Sequence, residues 1–346
     1  MTSPSTAAPD ALPLGTAVAT TTPAPRGTDY DGTVTVLSRQ TVADGVTSLL
    51  LAPRDGVPLP RWQPGAHIDV VLPTGTVRQY SLCGPTAVTD RWRIAVLREP
   101  DGRGGSRWIH DEVRERSELR IRGPRNNFPL RQAARYLFVA GGIGITPLLP
   151  MIAEVHAAGA DWSLLYGGRS RASMAFLSEL EGYGERVTVR PQDEYGLLDL
   201  AGHLGEPDPS AVVYCCGPAG LIDAVEAHGA TWPAGALNVE RFAAAPGSHS
   251  DEGGGKGDEP FQVELRSSGV MLTVRPGQSV LRAVEAAGVP VLSSCEEGIC
   301  GSCETAVLAG DIDHRDALLT EDERAAGDTM LICVSRARGG RLVLDL

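Results

Sequence analysis

Between residues 29 and 131 the apolar positions come in short alternating runs, TVTVLSRQ, HIDVVL and RWRIAVL, separated by Gly, Pro and Asp turns. A period of two puts alternate side chains on one face of a strand. The short spacing between turn residues predicts an antiparallel barrel or sandwich. From 132 to 242 the pattern changes. RYLFVAGG leads into TPLLPMIAEVHAAG, WSLLYGG into SMAFLSELEGYG, and AVVYCCGP into AGLIDAVEAHG. Apolar strands that alternate with helical stretches imply a parallel sheet with crossover helices. Residues 243–259, AAAPGSHSDEGGGKGDE, hold almost no large apolar residue and read as a flexible linker. From 260 to 346, FQVELRSSGVMLTVRPG predicts a hairpin and the stretch 279–287 a short helix. A cysteine-rich loop follows, then strands around CETAVLAG and MLICVS.

Composition narrows this picture. At 346 residues with 42% hydrophobic content, the chain suits two or three globular domains. Residues 1–28, rich in Pro, Ala and Thr, are expected to form a disordered tail. They lack the basic and apolar regions of a signal peptide. No apolar run approaches the ~18 residues that a membrane span needs. The net charge of −12 argues against nucleic acid as a partner. Seven cysteines, an odd number crowded toward the C-terminus, do not suit a disulfide framework, so a cytoplasmic protein is expected.

Three of those cysteines lie in SSCEEGICGSCE (293–304). Cys295, Cys300 and Cys303 are separated by four and then two residues, and Cys333 follows thirty positions later. This is the plant-type spacing for a 2Fe–2S cluster. Structural zinc usually takes two separated close pairs, whereas here the fourth cysteine stands alone. Gly298 and Gly301 let the backbone curl and aim N–H groups at the sulfurs. With these features the segment 260–346 resembles a plant-type ferredoxin, which implies a β-grasp domain that carries one electron at a time. Glu296 and Glu297 are then expected beside the cluster on an exposed docking face, either steering a basic partner or simply solvated.

GGIGITP (141–147) follows an apolar strand and precedes a helical run. Its glycines permit close approach of a pyrophosphate to a helix N-terminus. The third Gly of the dinucleotide fingerprint is missing, and Pro147 stands there. YCCGPAGLI (214–222) ends another strand of the parallel sheet, where such sheets bind ligands. Together GGIGITP and CCGP resemble the pyridine-nucleotide domain of the ferredoxin reductase superfamily. The resemblance implies that Gly142, Gly144, Thr146 and Pro147 meet the pyrophosphate and ribose, with Cys216, Gly217 and Pro218 near the nicotinamide. No acid follows LLYGG to mark an NAD site, while Arg169 and Arg171 do follow. Related oxygenase reductases often prefer NADH, so the choice between NADH and NADPH stays open.

A nicotinamide delivers two electrons and the cluster accepts one, so a flavin is needed between them. RQYSLCG (78–84) resembles the superfamily's flavin motif. That implies Arg78 at the phosphate, Tyr80 against the ring and Ser81 near its reactive nitrogen. Gln79 and Ala95 are counted among the flavin contacts. GRGGSRWIH (102–110) resembles the second motif, with Gly104, Gly105 and Ser106 offering N–H groups and a hydroxyl to the phosphate. With no obvious adenine-binding insertion, this pairing resembles the FMN branch of the superfamily rather than the FAD branch, which implies FMN. VERF (239–242) makes Phe242 a candidate to cover the flavin, interdomain packing being the plainer reading. His67 reads as structural, His110 as ordering the phosphate loop, and Cys83 and Cys215 as small buried residues.

In module order the chain resembles the phthalate dioxygenase reductase and vanillate demethylase reductase family. It also resembles the reductase module of self-sufficient haem-thiolate monooxygenases. The resemblance implies an oxidoreductase that relays electrons from NAD(P)H through FMN and a 2Fe–2S cluster to a separate terminal oxygenase, with Ser81 and Cys216 at the reacting atoms. A monomer is expected. Direct reduction of a quinone or other small acceptor, and redox or iron sensing, are the rival readings.

Overall fold

The computed structural model describes residues 30–100, 102–243 and 259–346. The expected tail and nearly all of the expected linker lie outside these residues. Six antiparallel strands make up the N-terminal module: β1 (Tyr30–Ala43), β2 (Val46–Pro53), β3 (Ala66–Val71), β4 (Val77–Ser81), β5 (Trp92–Leu97) and β6 (Glu118–Asn126). Their order is β4-β3-β6-β1-β2-β5, and a bridge from Leu82 to Ile94 joins the end of β4 to β5 and closes the barrel. The alternation in the sequence becomes the barrel core. Val34 with Val36, Leu49 with Leu51, and Ile68 with Val70 sit two apart on their strands and are fully buried. Each such side chain contributes ~1.5–3 kcal/mol of transfer free energy. GSRWIHDE forms a short helix, α1 (Gly105–Glu112), between β5 and β6.

The second module is a parallel sheet of β7 (Arg135–Gly141), β8 (Asp161–Gly168), β9 (Val187–Pro191), β10 (Ala211–Cys216) and β11 (Leu237–Glu240), ordered β11-β10-β7-β8-β9. In β7 the run from Tyr136 to Gly141 is buried at every position, as a central strand covered on both faces requires. Helix α2 (Ile145–Ala157) and the helix Ala219–Gly229 follow β7 and β10 as the pattern predicts. The helix expected after WSLLYGG does not form as one piece. Phe176 adopts a left-handed conformation (φ 62°) and Gly184 a non-helical one, so the stretch breaks into a turn at Leu177–Leu180 and a 3₁₀ segment at Glu181–Arg186.

The C-terminal sheet runs β13 (Val270–Val274), β12 (Phe261–Leu265), β18 (Arg341–Leu344), β14 (Glu304–Ala309), β16 (Thr329–Leu331), with β12 and β18 parallel. The helix Val280–Ala286 buries Val280, Leu281, Ala283 and Val284 against it. Ser279 caps that helix by accepting the Arg282 N–H. The small ladder of β15 (Ile312–Asp313) with β17 (Arg336–Ala337) completes the module. Among the described residues no helix is long and apolar enough to cross a membrane.

Candidate functional site

The three modules meet at one cleft of ≈ 660 Å³, counting the solvent at its mouth. The barrel supplies His67, Gln79, Tyr80, Ser81 and Asn127. The end of β11 supplies Val239 to Phe242, and the C-terminal module supplies Ile299, Ala317 and Leu318. Three buried polar atoms on this wall have no hydrogen-bond partner: His67 Nε2, Ser81 Oγ and Glu240 Oε2. A buried polar atom without a partner is costly, and such atoms are usually satisfied by a ligand or water. These donors and acceptors fit the polar edge of a flavin ring, with Tyr80, Val239 and Phe242 offering apolar surface beside them. Burial raises the Glu240 carboxyl to about 8. Burial and the Arg125 charge hold the His67 imidazole down to about 4, against the opposing pull of Asp69. At neutral pH both are therefore uncharged. Burial also raises the Tyr80 phenol, so it stays protonated.

Beside the cleft lies a site that suits a phosphate. Helix α1 begins at Gly104 (φ 82°) with no side-chain cap, leaving its first N–H groups free to bind an anion. Arg78 lies against it, so close that a Cβ at Gly105 would fall 2.6 Å from the Arg78 Cγ. Burial, and then the neighbouring Arg103, disfavour the Arg78 charge, and a bound dianion would relieve both. The Ser106 hydroxyl accepts the Glu99 N–H at 3.0 Å and keeps its own proton to donate. Four of the residues expected at the phosphate thus come together, as do Gln79, Tyr80, Ser81 and Phe242 on the cleft. Ala95 does not join them. It packs with Val46 and Cys83 in the core shared with the α/β module.

At the carboxyl ends of β7 and β10 the glycines divide their roles. Gly142 has φ 53° and open space around it, as a ligand-facing turn requires, whereas a Cβ at Gly144 would meet the Cys216 carbonyl oxygen at 2.2 Å. Tyr166 anchors the turn by donating to the Gly142 carbonyl at 3.1 Å. Thr146 Oγ1 donates to the Ile143 carbonyl, and Pro147 sits in the first turn of α2. Cys216 is fully buried, lies in register with Glu240, and has its thiol pushed well up by burial, so it stays neutral. Pro218 starts the helix after β10, beside Gly217. Arg169 and Arg171 are exposed beyond β8. Glu194, from the turn after β9, pairs with Arg171 at 3.7 Å, and the Asp193 N–H donates to the Arg169 carbonyl.

Cys295, Cys300, Cys303 and Cys333 are all buried and none forms a disulfide. Their thiols meet in two pairs, 295 with 300 and 303 with 333. Left-handed Glu296 (φ 57°), Gly298 (φ 70°) and Gly301 (φ 71°) curl the backbone around them. The Glu297 N–H points at Cys295 Sγ from 3.2 Å and the Ser302 N–H at Cys300 Sγ from 3.5 Å. The Cys295 thiol, then the Ser302 hydroxyl and the backbone of Cys295 and Ser302, hold the Cys300 thiol below its ordinary value against the opposing effect of burial, favouring a thiolate. Four gathered sulfurs inside a nest of N–H groups fit an iron–sulfur cluster.

This loop is seated on the barrel. Ser294 Oγ donates to Asp69 Oδ1 at 2.8 Å, Arg103 donates to the Cys295 carbonyl at 3.2 Å, and Asn127 Nδ2 to the Cys300 carbonyl at 2.8 Å. Arg103 also pairs with Glu297, and Arg282 with Glu296. Glu297 therefore does not join the exposed docking face expected of the pair, since it faces the barrel, whereas Glu296 stays part-exposed. Asp69, Arg103, Asn127, Ser294 and Glu240 were missed from sequence. The signal for Asp69 was a lone acid inside the apolar strand HIDVV, for which burial demands partners.

Residues 138–227 match an oxidoreductase NAD-binding domain, and residues 263–338 a 2Fe–2S iron–sulfur cluster binding domain. The phenoxybenzoate dioxygenase subunit beta of Ectopseudomonas oleovorans is 44% identical over 312 residues, covering 88% of this chain and 95% of that protein. Among solved structures, an intact type IV self-sufficient cytochrome P450 monooxygenase superposes with a TM-score of 0.84 at 45% identity. It covers 91% of this chain, which spans 41% of that longer one. Phthalate dioxygenase reductase, described as a modular structure for electron transfer from pyridine nucleotides to [2Fe–2S], superposes with a TM-score of 0.68. It is 36% identical, with 91% of this chain and 98% of that chain covered. Barrel, nucleotide sheet and cluster module, in that order and along nearly the whole described length, mean that the chain belongs to the phthalate dioxygenase reductase family of NAD(P)H-, FMN- and 2Fe–2S-dependent oxidoreductases.

Proposed function

We propose that this protein draws electrons from NAD(P)H and delivers them singly to a separate terminal oxygenase. The observation that carries this reading is the shared cleft, where the flavin motif, the end of the nucleotide sheet and the cluster loop face one another. Held there, FMN would supply the exchange between a two-electron donor and a one-electron acceptor.

The chain's part is positioning and electrostatics. Arg78 and the first turn of α1 hold the phosphate, while Gly104, Gly105 and Ser106 supply N–H groups and a hydroxyl. Gln79, Tyr80 and Ser81 line one side of the ring and Phe242 another. Gly142, Gly144, Thr146 and Pro147 shape the pyrophosphate turn, and Gly217 and Pro218 bring the Cys216 strand end beside it. Neutral Cys216 and protonated Glu240 keep net negative charge away from the place where the nicotinamide delivers electrons. Cys295, Cys300, Cys303 and Cys333 ligate the cluster. Arg169 and Arg171 stand where a 2′-phosphate would be read, but Glu194 offsets Arg171, which supports NADH over NADPH. The domains run as 29–131, 132–242 and 260–346, with 243–259 as linker. All three sites are built from one chain, which supports a monomer.

Anaerobic addition of NADH to the purified holoprotein tests the reading. Bleaching of both flavin and iron–sulfur absorption is expected, with rapid cytochrome c reduction. Flavin bleaching alone would remove the cluster from the route, and no bleaching with either NADH or NADPH would remove the reductase reading altogether.

A further inference from the structure

The contacts that seat the cluster loop on the barrel come from residues that also build the flavin site. We propose that FMN binding and docking of the ferredoxin module are one coupled equilibrium, with Asp69 and Arg103 as its positioning residues. This rests on the reading that the cleft holds FMN.

Asp69 and Gln79 are direct partners across β3 and β4, so the flavin motif is fixed opposite a buried carboxylate. A single oxygen, Asp69 Oδ1, accepts from Gln79 Nε2 at 3.2 Å, from Arg125 Nη2 at 2.5 Å and from Ser294 Oγ at 2.8 Å. Gln79 Nε2 also lies 3.5 Å from Ser294 Oγ. A flavin-motif side chain and the residue preceding Cys295 therefore share one acceptor atom.

Arg103 makes the second link. Its carbonyl accepts from Arg78 Nη2 at 3.4 Å, while its guanidinium holds the Cys295 carbonyl and the Glu297 carboxylate. Asn127, on the cleft wall, makes a third through the Cys300 carbonyl. Every link ends within two residues of a cluster cysteine and begins at a residue that lines or borders the flavin site. Undocking the module would take one donor from Asp69 and two acceptors from Arg103, loosening the residues on which Gln79 and Arg78 lean. Linkage then requires the converse: whatever docking adds to FMN affinity, FMN adds to docking by the same factor.

Ser294→Ala in the full-length, iron-loaded chain is the test, because it removes one hydroxyl on the ferredoxin side. Loss of a hydrogen bond to a buried carboxylate corresponds to roughly a tenfold effect. The flavin-depleted variant should bind FMN roughly tenfold more weakly by fluorescence titration. Reciprocally, stripping FMN from the unaltered chain should speed amide hydrogen exchange in 293–304 by a comparable factor. A role confined to the shape of the cluster loop would leave the FMN Kd unmoved. An unchanged Kd in Ser294→Ala, or unchanged exchange on FMN removal, overturns the coupling while leaving the reductase reading intact. An unaltered chain that binds no FMN overturns that reading itself.

Discussion

The Cys216 carbonyl oxygen fills the space that a side chain at Gly144 would need, since a Cβ there would lie 2.2 Å from it. The opposing group is backbone at the end of a central strand, so it cannot move aside. Gly144→Ala is expected to push the nucleotide turn away from β10, raising the KM for NADH about tenfold or more and lowering Tm. Gly142→Ala meets no atom within 4 Å and bears only the left-handed strain of its φ of 53°. That strain costs roughly 1 kcal/mol, so its KM should change far less. Steady-state kinetics with ferricyanide as acceptor would check the ranking, and equal effects would show that packing against Cys216 does not set the turn.

Arg78 and Gly105 support an analogous comparison at the phosphate site. Arg78→Met removes the charge but keeps the stem, and a charge-assisted bond of ~1.5–3 kcal/mol corresponds to an FMN affinity roughly 10- to 100-fold weaker. Gly105→Ala crowds only the Arg78 side chain, which is flexible, so a loss of a few-fold is expected. FMN bound per chain and a fluorescence titration would measure both. Full flavin occupancy in Arg78→Met at micromolar concentrations would remove Arg78 from the phosphate site.

Much of this arrangement was legible in the sequence because its signals are local. The cysteine spacing singled out four thiols that the fold brings together in two pairs, and the period of two in TVTVLSRQ matches the buried Val34 and Val36 of β1, whereas β3 is buried along almost its whole length. What remained hidden depends on contacts between distant segments. Asp69 and Ser294 are 225 positions apart, and no pattern along one segment says which buried acid meets which hydroxyl. Glu297 was expected on an exposed face beside the cluster, and only the fold reveals Arg103 opposite it. The broken crossover after β8 was concealed by apolar residues at helical spacing, whose propensity lost to Phe176 and Gly184 in non-helical backbone.

The acid missing after LLYGG bears on nucleotide choice. Glu194 reaches Arg171 from the turn after β9, with both side chains about half exposed. An exposed pair contributes only ~0–1 kcal/mol, so a modest effect is expected. Glu194→Gln should free Arg171 for a 2′-phosphate and raise kcat/KM for NADPH about two- to five-fold, with NADH little changed. If the NADPH to NADH ratio stays constant, Arg171 does not face the ribose.

Glu240 carries the pH dependence. Its side chain is part-buried, its Oε2 is sealed from solvent without a partner, and its folded-state value is raised from 4.5 to about 8. Between those values the unfolded chain gives up the proton while the folded chain keeps it. Stability from this group is therefore intact below about pH 4.5, falls as pH rises through the window and levels off above about 8. The limiting slope is ~1.4 kcal/mol per pH unit, and water in the cleft reduces it. Glu240→Gln keeps the shape and stays neutral throughout. In the flavin-depleted chain, it should gain ~1–3 kcal/mol over the unaltered protein between pH 5.5 and 7.5, read from denaturant unfolding. His67, lowered from 6.5 to about 4 by folding, works the other way: its contribution rises with pH up to about 6.5, and it cancels when the two chains are compared. A difference independent of pH would mean that Glu240 ionises normally in the folded chain, and the cleft would then present a negative charge to the nicotinamide.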